Sequence, residues 1–244
     1  MKTSIIIPAL NEETTLPALF KSVPSSEDIE IIVVDGGSRD KTLEISKQHN
    51  AITCIEDGLP EFPARNRGAE LAQGELLIFT TAKTRFHGDT FQIIHTLFRD
   101  DPDVISLSSP AKLIAPPLWG LLEYALYDRL RIIASHLGVF STSTNFLCIR
   151  RDTFRKTEGF ANDVNGDGQM GRLLNKIGKV KFYSRPLVSI DSRRLKSMGF
   201  VGFNLQFLYV IENFLPFIGT LEFFKTMKKK LNKKHSQLHQ SVIR

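Results

Sequence analysis

The sequence predicts an α/β protein built on a mostly parallel, doubly wound sheet. Short runs of β-branched residues, at 4–8 and 31–34, alternate with helical segments at 15–23 and 41–48 within the first fifty residues. Strands that alternate with helices in this way are typical of βαβ units, and therefore of a parallel sheet. The uninterrupted apolar run at 31–34 also indicates a strand that is buried on both of its faces.

The turn after the second strand is the first candidate for a binding site. Asp35 follows the apolar run directly, and Gly36 and Gly37 come next. In open α/β sheets ligands bind beyond the carboxyl ends of the strands, so we expect Asp35 at the mouth of a site. Glycines would let backbone N–H groups approach a ligand closely. The alternative is an ordinary βα turn, in which an acid or Ser38 or Asp40 only caps the next helix.

The rest of the chain continues the alternation of strands and helices. Breaks at Gly and Pro separate the apolar runs, and a helix that begins at Pro63 would end at Gly74. Further strands are predicted over 51–56, 75–79, 104–108 and 146–151, and a strand pair or bent strand over 179–190. Further helices are predicted over 91–98, from Pro117 to Gly138 and from Asp167 to Gly178.

The positive charge of the chain is concentrated at its end. The net charge is +6, and residues 225–244 contain seven Lys or Arg residues and no acid. The first 224 residues are therefore close to neutral, which argues against a nucleic-acid binding face. Cys54 and Cys148 match no metal or redox spacing, and Pro8 interrupts the first apolar run too early for a signal peptide. We therefore expect a cytoplasmic protein.

Four motifs in the chain, taken together, resemble the family 2 glycosyltransferases, which have the GT-A fold. They are SIIIPALNEE (4–13), IIVVDGGSRDKT (31–42), ARNRGAELAQGELLIF (64–79) and GFANDVNGDGQMGRLL (159–174). The resemblance implies a GT-A domain over 1–195, with a nucleotide-sugar half (1–110) and an acceptor half (111–195). The resemblance ends near residue 195, and the composition of residues 196–244 predicts an amphipathic helical extension and a basic tail.

The resemblance also implies roles for individual residues. Asp35 would bind the base, and Arg65 would pair with phosphate oxygens. Asp167 stands where the family keeps its catalytic base, and a single carboxylate suits a one-step inverting displacement. The residues implied to line the nucleotide pocket are Pro8, Ala9, Asn11, Glu12, Asp35, Gly37, Arg65, Asn66 and Thr81.

One triplet departs from the pattern of the family. The family usually has Asp-x-Asp after the fourth strand, where the carboxylates hold a divalent cation against the diphosphate, but this chain has Thr81-Ala82-Lys83. Three interpretations follow. Lys83 replaces the metal as a catalytic cation; or Mg²⁺ or Mn²⁺ binds through other acids such as Asp89 or Asp167; or the protein binds its ligand without catalysis. Hard metal ions prefer carboxylate oxygens, which disfavours a metal at this triplet.

A cluster of cations later in the chain fits the first interpretation. Arg193 and Arg194 follow the last predicted strand, and they are expected to close over the diphosphate as a lid. The alternative is a solvated run of charge with no ligand.

The C-terminal extension suggests a membrane partner. Residues 200–224 contain seven phenylalanines, residues 200–211 carry no charge, and a polybasic stretch follows. An uncharged run of this length is short of the ~20 residues that span a bilayer. We therefore expect 200–234 to attach the protein peripherally to an anionic surface, at the inner face of the cell membrane. The alternative is a helix that packs on the domain or forms a dimer contact, followed by a basic tail.

The functional expectation is an inverting glycosyltransferase of polysaccharide or glycolipid biosynthesis. The donor would be a UDP- or GDP-sugar, and the acceptor a saccharide hydroxyl or a lipid-linked phosphate such as a polyprenyl phosphate. The first alternative is a non-catalytic homologue or partner subunit that binds nucleotide sugars. The second is a nucleotidyltransferase, but residues 8–13 lack the glycine-rich loop that such an enzyme needs.

Overall fold

The protein is described by a computed structural model that covers residues 1–136, 142–163, 165–193, 195–196 and 225–226. Its strands are β1 (Thr3–Ala9), β2 (Ile29–Asp35), β3 (Ile52–Ile55), β4 (Leu76–Phe79), β5 (Thr84–Phe86), β6 (Val104–Ser108), β7 (Ala111–Ile114), β8 (Leu147–Arg150), β9 (Lys179–Phe182) and β10 (Val188–Asp191). The helices in these ranges are α1 (Leu16–Ser22), α2 (Thr42–Gln48), α3 (Glu61–Leu71), α4 (Thr90–Asp100), α5 (Leu118–His136), α6 (Arg151–Phe154) and α7 (Gly166–Ile177).

The main sheet has seven strands in the order β3-β2-β1-β4-β8-β6-β9. All neighbouring pairs are parallel except the two that involve β8, which runs antiparallel to β4 and β6. The predicted mostly parallel α/β sheet is therefore confirmed. Ala9 lies opposite Asp35 in the register of β1 and β2, so the loops after these strands leave the same edge of the sheet.

The apolar runs form strands because both faces of the sheet are covered. Ile5 and Ile7 of β1 contact one apolar cluster, with Phe20 of α1, whereas Ile6 faces the other, with Ala69 of α3. All three isoleucines are fully buried. A residue period of two therefore supplies apolar side chains to both layers, as expected for a strand between two helical layers.

Helix α3 lies very close to the sheet. A Cβ atom on Gly68 would lie 2.5 Å from the Cγ2 atom of Ile6, so a larger residue would push the helix away. The helix runs from Glu61 to Leu71, and the predicted start at Pro63 and end at Gly74 were therefore too late by two or three residues. Pro63 still lies in the first turn, where its missing N–H has no intrahelical role.

The segment after α7 is divided between two sheets. The predicted strand pair at 179–190 consists of β9 at the edge of the main sheet and β10 in a separate sheet of order β5-β10-β7. Strand β10 is antiparallel to β5 and parallel to β7. This small sheet brings Asp191 to the segment that follows β4, because the Asp191 N–H donates to the carbonyl oxygen of Lys83 at 3.2 Å.

The expected C-terminal extension lies almost wholly outside the described residues, which include only 196, 225 and 226 of it. Among the helices that the structure does describe, none combines the length and hydropathy needed to cross a bilayer.

Candidate active site

Two loops at the carboxyl edge of the sheet are locked together by side chains of the first two motifs. Asn11 has a left-handed backbone (φ 54°), and its N–H donates to Ser38 Oγ at 2.8 Å. Its side-chain Oδ1 accepts the N–H of Arg39 at 2.9 Å. Three further bonds in which a backbone N–H donates to a side-chain oxygen join Glu12 to Thr42, Glu13 to Asp40 and Lys41 to Glu13. Many side chains of both motifs therefore position the two loops that form the site.

Asp35 is fully buried at this edge, and its two carboxylate oxygens differ in their hydrogen bonding. Its Oδ1 accepts the N–H groups of Gly37 and Ser38, at 2.9 and 2.7 Å. Its Oδ2 has no hydrogen-bond partner within the described residues. A buried carboxylate oxygen without a partner is costly, which points to a ligand N–H at this position. Gly37 (φ 93°) is required by the turn, since a Cβ there would lie 1.7 Å from Asp57 Oδ1.

Lys83 and Glu12 are paired across the same edge. The Nζ atom of Lys83 lies 3.1 Å from Oε1 of Glu12, and the other oxygen of Glu12 accepts the hydroxyl of Thr15 at 2.5 Å. Lys83 remains 37% exposed, whereas Ala82 packs into the core. Thr81 directs its hydroxyl to that of Thr84 at 3.3 Å. The atypical triplet therefore presents one ammonium group to the site.

The donor set at this triplet does not fit a divalent cation. The triplet offers a hydroxyl and an ammonium group and no carboxylate, and Glu12, the acid paired with Lys83, is already bound to that ammonium group. Across the described ranges, no three His, Cys, Asp or Glu side chains are grouped as a metal site.

Arg65, on α3, holds the end of β4 in place through a hydrogen bond. It is fully buried; Nη1 donates to the carbonyl oxygen of Thr80 at 2.6 Å, and Nη2 donates to Glu61 at 2.7 Å. Its Nε has no partner in the described part of the chain. In this conformation the guanidinium fixes the segment that leads to Lys83. Its predicted pairing with phosphate oxygens would need a rearrangement, and it stays a prediction.

Asn66 joins α3 to the segment before α7. Its Nδ2 donates to the carbonyl oxygen of Phe160 at 2.9 Å, and its Oδ1 accepts the N–H of Phe160 at 2.8 Å. A Cβ on the neighbouring Gly159 (φ 77°) would lie 2.6 Å from Asn66 Oδ1. Both polar atoms of Asn66 therefore hold the segment that leads to Asp167, and its predicted nucleotide contact stays a prediction.

Asp167 occupies the first turn of α7. Its Oδ1 accepts the N–H of Gly168 at 2.8 Å, and its backbone oxygen accepts the hydroxyl of Thr142. The side chain is closely surrounded by protein but keeps part of its surface open to solvent. Burial raises the pKa of Asp167, and the negative charge of Glu61 adds to this rise, while the N–H of Gly168 and the charge of Arg65 oppose it. A carboxylate with a raised pKa is a better proton acceptor.

The predicted diphosphate lid is only partly described. The N–H and Nε of Arg193 donate to the two carboxylate oxygens of Asp191, at 2.7 and 3.0 Å. Because Asp191 also binds the backbone of Lys83, Arg193 is tethered to the strand beside the triplet. Arg193 is itself exposed, and Arg194 lies outside the described residues.

The remaining predicted residues lie along the same edge. Pro8 and Ala9 end β1, and the carbonyl oxygen of Ala9 accepts the N–H of Gly36 at 2.9 Å. The structure thus joins Glu12 with Lys83, and places Asp167 in the electrostatic field of Arg65. An open groove of about 380 Å³ lies elsewhere, at the ends of α5 and α7 beside β9, and none of the predicted residues lines it.

Two contributors to the site were missed by sequence reasoning. Glu61 pairs with Arg65 four residues later on the same helix, and this spacing of an acid and a base could have been recognised in the sequence. Asp191 reaches Lys83 only through the second sheet, and no local pattern indicates that contact.

A parallel sheet that gathers an acid, a cation and a partly open carboxylate at its carboxyl edge is typical of the nucleotide-binding α/β proteins. The family model described as glycosyl transferase family 2 matches residues 4–157. The chain therefore belongs to glycosyl transferase family 2, and its fold is of the predicted GT-A type.

The chain is also similar to individual proteins. A mannosyltransferase from Pyrobaculum calidifontis, in complex with GDP-Man and Mn²⁺, superimposes with a TM-score of 0.68 at 18% identity, over 89% of this chain and 64% of that chain. Glucosyl-3-phosphoglycerate synthase from Mycobacterium tuberculosis, in complex with Mn²⁺, UDP and glucosyl-3-phosphoglycerate, gives a TM-score of 0.59 at 17% identity, over 85% of this chain and 79% of that chain.

A curated relative shows higher identity over a shorter region. A PGL/p-HBAD biosynthesis glycosyltransferase of M. tuberculosis is 38% identical over 87 residues, which are 32% of this chain and 34% of that protein. The chain thus spans about a third of the length of the first curated relatives that it matches.

Proposed function

We propose that the protein is a glycosyltransferase that takes a sugar from a UDP- or GDP-sugar and transfers it with inversion. The observation that carries this proposal is the buried, unpartnered Oδ2 of Asp35 at the carboxyl edge of the sheet. An acceptor atom in this position suits a ring N–H of the nucleotide base, which uracil and guanine both carry. The family membership and the nucleotide sugars bound by the similar structures support the same choice.

The transfer itself would be a single displacement. The carboxylate of Asp167 takes the proton of an acceptor hydroxyl while the acceptor oxygen attacks the anomeric carbon. An acceptor phosphate is already ionised and would need no base. The bond from that carbon to the diphosphate oxygen breaks, and the negative charge passes to the departing nucleoside diphosphate. Attack from the face opposite to the leaving group inverts the anomeric carbon.

We propose that the ammonium group of Lys83 neutralises the negative charge of the departing diphosphate, so that transfer proceeds without a divalent metal. The ion pair with Glu12 holds the ammonium group at the carboxyl edge before the donor binds. The incoming diphosphate would take over this ammonium group, and Glu12 would be released towards the ribose hydroxyls. Arg193, tethered by Asp191 beside Lys83, would add a second positive charge. Preorganised charge of this kind can perform the electrostatic part of the work of a metal ion.

For the acceptor we propose a lipid-linked phosphate or saccharide at the inner face of the cell membrane. The support comes from the sequence 200–234, which joins a phenylalanine-rich stretch to a polybasic one. Replacement of Lys228, Lys229, Lys230, Lys233 and Lys234 by Gln should weaken flotation with anionic vesicles. Equal flotation of this variant and the wild type would contradict attachment through the tail.

The test of catalysis separates an enzyme from a non-catalytic binder. Wild-type protein and Asp167→Asn are incubated with UDP- and GDP-sugars and short-chain polyprenyl phosphate or lipid-linked saccharide acceptors. Release of nucleoside diphosphate and the anomeric configuration of the product are then measured. With the saccharide acceptor we expect release only with the wild type and an inverted product. With polyprenyl phosphate, which needs no base, we expect release with both proteins. Donor binding by both proteins without release by either would favour the non-catalytic alternative.

A further inference from the structure

Helix α5 turns a row of aliphatic side chains outward. The row, called here the α5 stripe, recurs at intervals of three or four residues and so follows one face of the helix. It consists of Leu118, Leu121, Leu122, Leu126, Leu130 and Ile133, which are 43–80% exposed. A helix of 19 residues is about 28 Å long, so the stripe is a continuous apolar surface and not a set of isolated side chains.

The opposite face of α5 is fixed to the domain, so the helix cannot rotate to bury the stripe. Arg131 is 3% exposed, and its Nη2 donates to Ser108 Oγ at 3.2 Å. Its guanidinium lies 4.7 Å from the centre of the Phe182 ring, and it pairs with Asp128 at 3.7 Å. These buried polar contacts would be lost if the leucines turned inward.

The charges on α5 suit an anionic partner. Arg129 is exposed, and helical spacing places it between Leu126 and Ile133 on the stripe. The two acids of the helix, Glu123 and Asp128, are half-buried and lie at the two margins of the stripe, seven residues from Leu130 and Leu121. The centre of the outward face is therefore apolar with one cation, and the half-buried acids border it. A long Arg side chain can reach lipid headgroups while its neighbours enter the apolar layer.

The chain also returns to α5 just before the C-terminal extension begins. Leu195 is 5% exposed, and a Cβ on Gly120 would lie 2.3 Å from its Cδ2 atom. Ser192 Oγ donates to the carbonyl oxygen of Ile114 at 2.7 Å, just before the helix. The sequence 197–244, with its phenylalanines and lysines, is thus connected to the protein beside the first turn of α5.

We propose that the α5 stripe is a docking surface for an anionic phospholipid bilayer, with α5 lying flat in the interfacial region. The proposal rests on the proposed function only in that a lipid-linked acceptor gives docking a purpose. The α5 stripe begins near the active site, since Asp191, which binds the Lys83 backbone, directly precedes the Ser192 that contacts Ile114. Docking would therefore hold the diphosphate region close to the membrane surface.

A second copy of the chain is a poorer occupant of the α5 stripe. Six partly exposed aliphatic side chains offer roughly 200–400 Å² of apolar area. A stable dimer usually buries about 800 Å² on each partner, of which roughly 450–520 Å² is apolar. A bilayer needs no such matched surface, because it accommodates any apolar face that lies in its interface.

The single tryptophan of the protein provides a direct test. Trp119 follows Leu118 in the first turn of α5, so its fluorescence reports the depth of this helix. The full chain is mixed with phosphatidylcholine vesicles that contain about 30 mol% phosphatidylglycerol, with and without brominated acyl chains. We expect Trp119 to be quenched by the brominated lipid and the Leu122→Gln/Leu126→Gln variant to partition at least ~10-fold more weakly.

A control variant loses two exposed aliphatic side chains elsewhere on the surface. Leu173 and Ile177 are exposed on α7, and the Leu173→Gln/Ile177→Gln variant should bind vesicles as the wild type does. Vesicle binding without quenching of Trp119 would overturn the proposal, because the protein would then be attached through its C-terminal tail alone. Residues 197–224 would in that case be the candidate cover of the α5 stripe. The proposal would also be overturned if the wild type formed a dimer in the absence of vesicles and the Leu122→Gln/Leu126→Gln variant did not. Quenching measures docking without catalysis, so the failure of the proposed function would leave this result unchanged.

Discussion

Lys83 Nζ lies 3.1 Å from Glu12 Oε1 at the carboxyl edge of the sheet, and Lys83 belongs to the triplet where the sequence resemblance implies the metal site of the family. A cation held by an acid on the neighbouring loop is a preorganised positive charge whose partner a diphosphate can displace. The ion pair therefore suggests a mechanism that can be tested, in which Lys83 and not a metal ion neutralises the diphosphate.

We predict that Lys83→Ala lowers the transfer rate by about 100- to 1,000-fold, because one preorganised charge at a developing oxyanion has about this effect. Lys83→Arg should retain most of the rate, since the charge is kept. Steady-state kinetics in excess chelator measure both. Lys47→Ala, at an exposed position on α2, serves as the control and should not change the rate. Equal losses for the Ala and Arg variants would contradict a role based on charge.

The metal site of the family should be restorable. Thr81→Asp/Lys83→Asp reinstates both carboxylates, and carboxylate oxygens are the ligands that Mg²⁺ and Mn²⁺ prefer. We predict a variant that is inactive in chelator and regains transfer when Mn²⁺ is added. Kinetics with and without the metal measure this change. Activity of the double variant in chelator would show that the charge of Lys83 is dispensable.

The unpartnered oxygen of Asp35 should decide base recognition. Asp35→Asn keeps an oxygen for the N–H groups of Gly37 and Ser38 but replaces the free acceptor with a donor. We predict about 10- to 100-fold weaker binding of UDP- or GDP-sugars by calorimetry, because a donor then faces the ring N–H. Asp28→Asn, an exposed position at the other end of β2, should bind normally. Unchanged affinity of Asp35→Asn would place the base elsewhere.

Asp167→Asn should separate activity from stability. The pKa of Asp167 is raised in the folded state, so its favourable contribution to stability is present below about pH 4 and is lost as the pH rises through the folded-state pKa. At pH 7 the neutral amide should therefore melt a few degrees higher than the ionised wild type. The difference should shrink towards pH 4, while transfer to an acceptor hydroxyl is lost. A lower melting temperature at pH 7 would contradict the burial of this charge.

Asn11 should act on the fold of the site more than on the ligand. Asn11→Gly keeps the left-handed backbone and loses only the bond from Arg39, at a cost of about 0.5–1.5 kcal/mol. Asn11→Ala should cost about 1–2 kcal/mol more, because a Cβ without local hydrogen bonding is strained there. Urea denaturation measures both. Equal stability of the wild type and both variants, with weakened donor binding, would return Asn11 to the role of a ligand contact.

The sequence predicted the centre of the main sheet well because β1, β4 and the second half of β2 are buried and therefore appear as unbroken apolar runs. Local periodicity contains no information about pairing partners, and so the separation of 179–190 into β9 and β10 was not foreseen. The same limit applies to the site. Asp35 could be found from its position after a strand, but the pairing of Lys83 with Glu12 and the tether from Asp191 depend on contacts between distant segments.

The most direct test of the metal-free mechanism is calorimetry of UDP- and GDP-sugar binding in excess chelator, followed by addition of Mn²⁺. We predict that one of these donors binds in chelator, that Mn²⁺ adds little, and that Lys83→Ala abolishes the binding while Lys47→Ala does not. Binding that appears only after Mn²⁺ is added would contradict the claim that Lys83 neutralises the diphosphate. It would direct the search for metal ligands to Asp89 and Asp167.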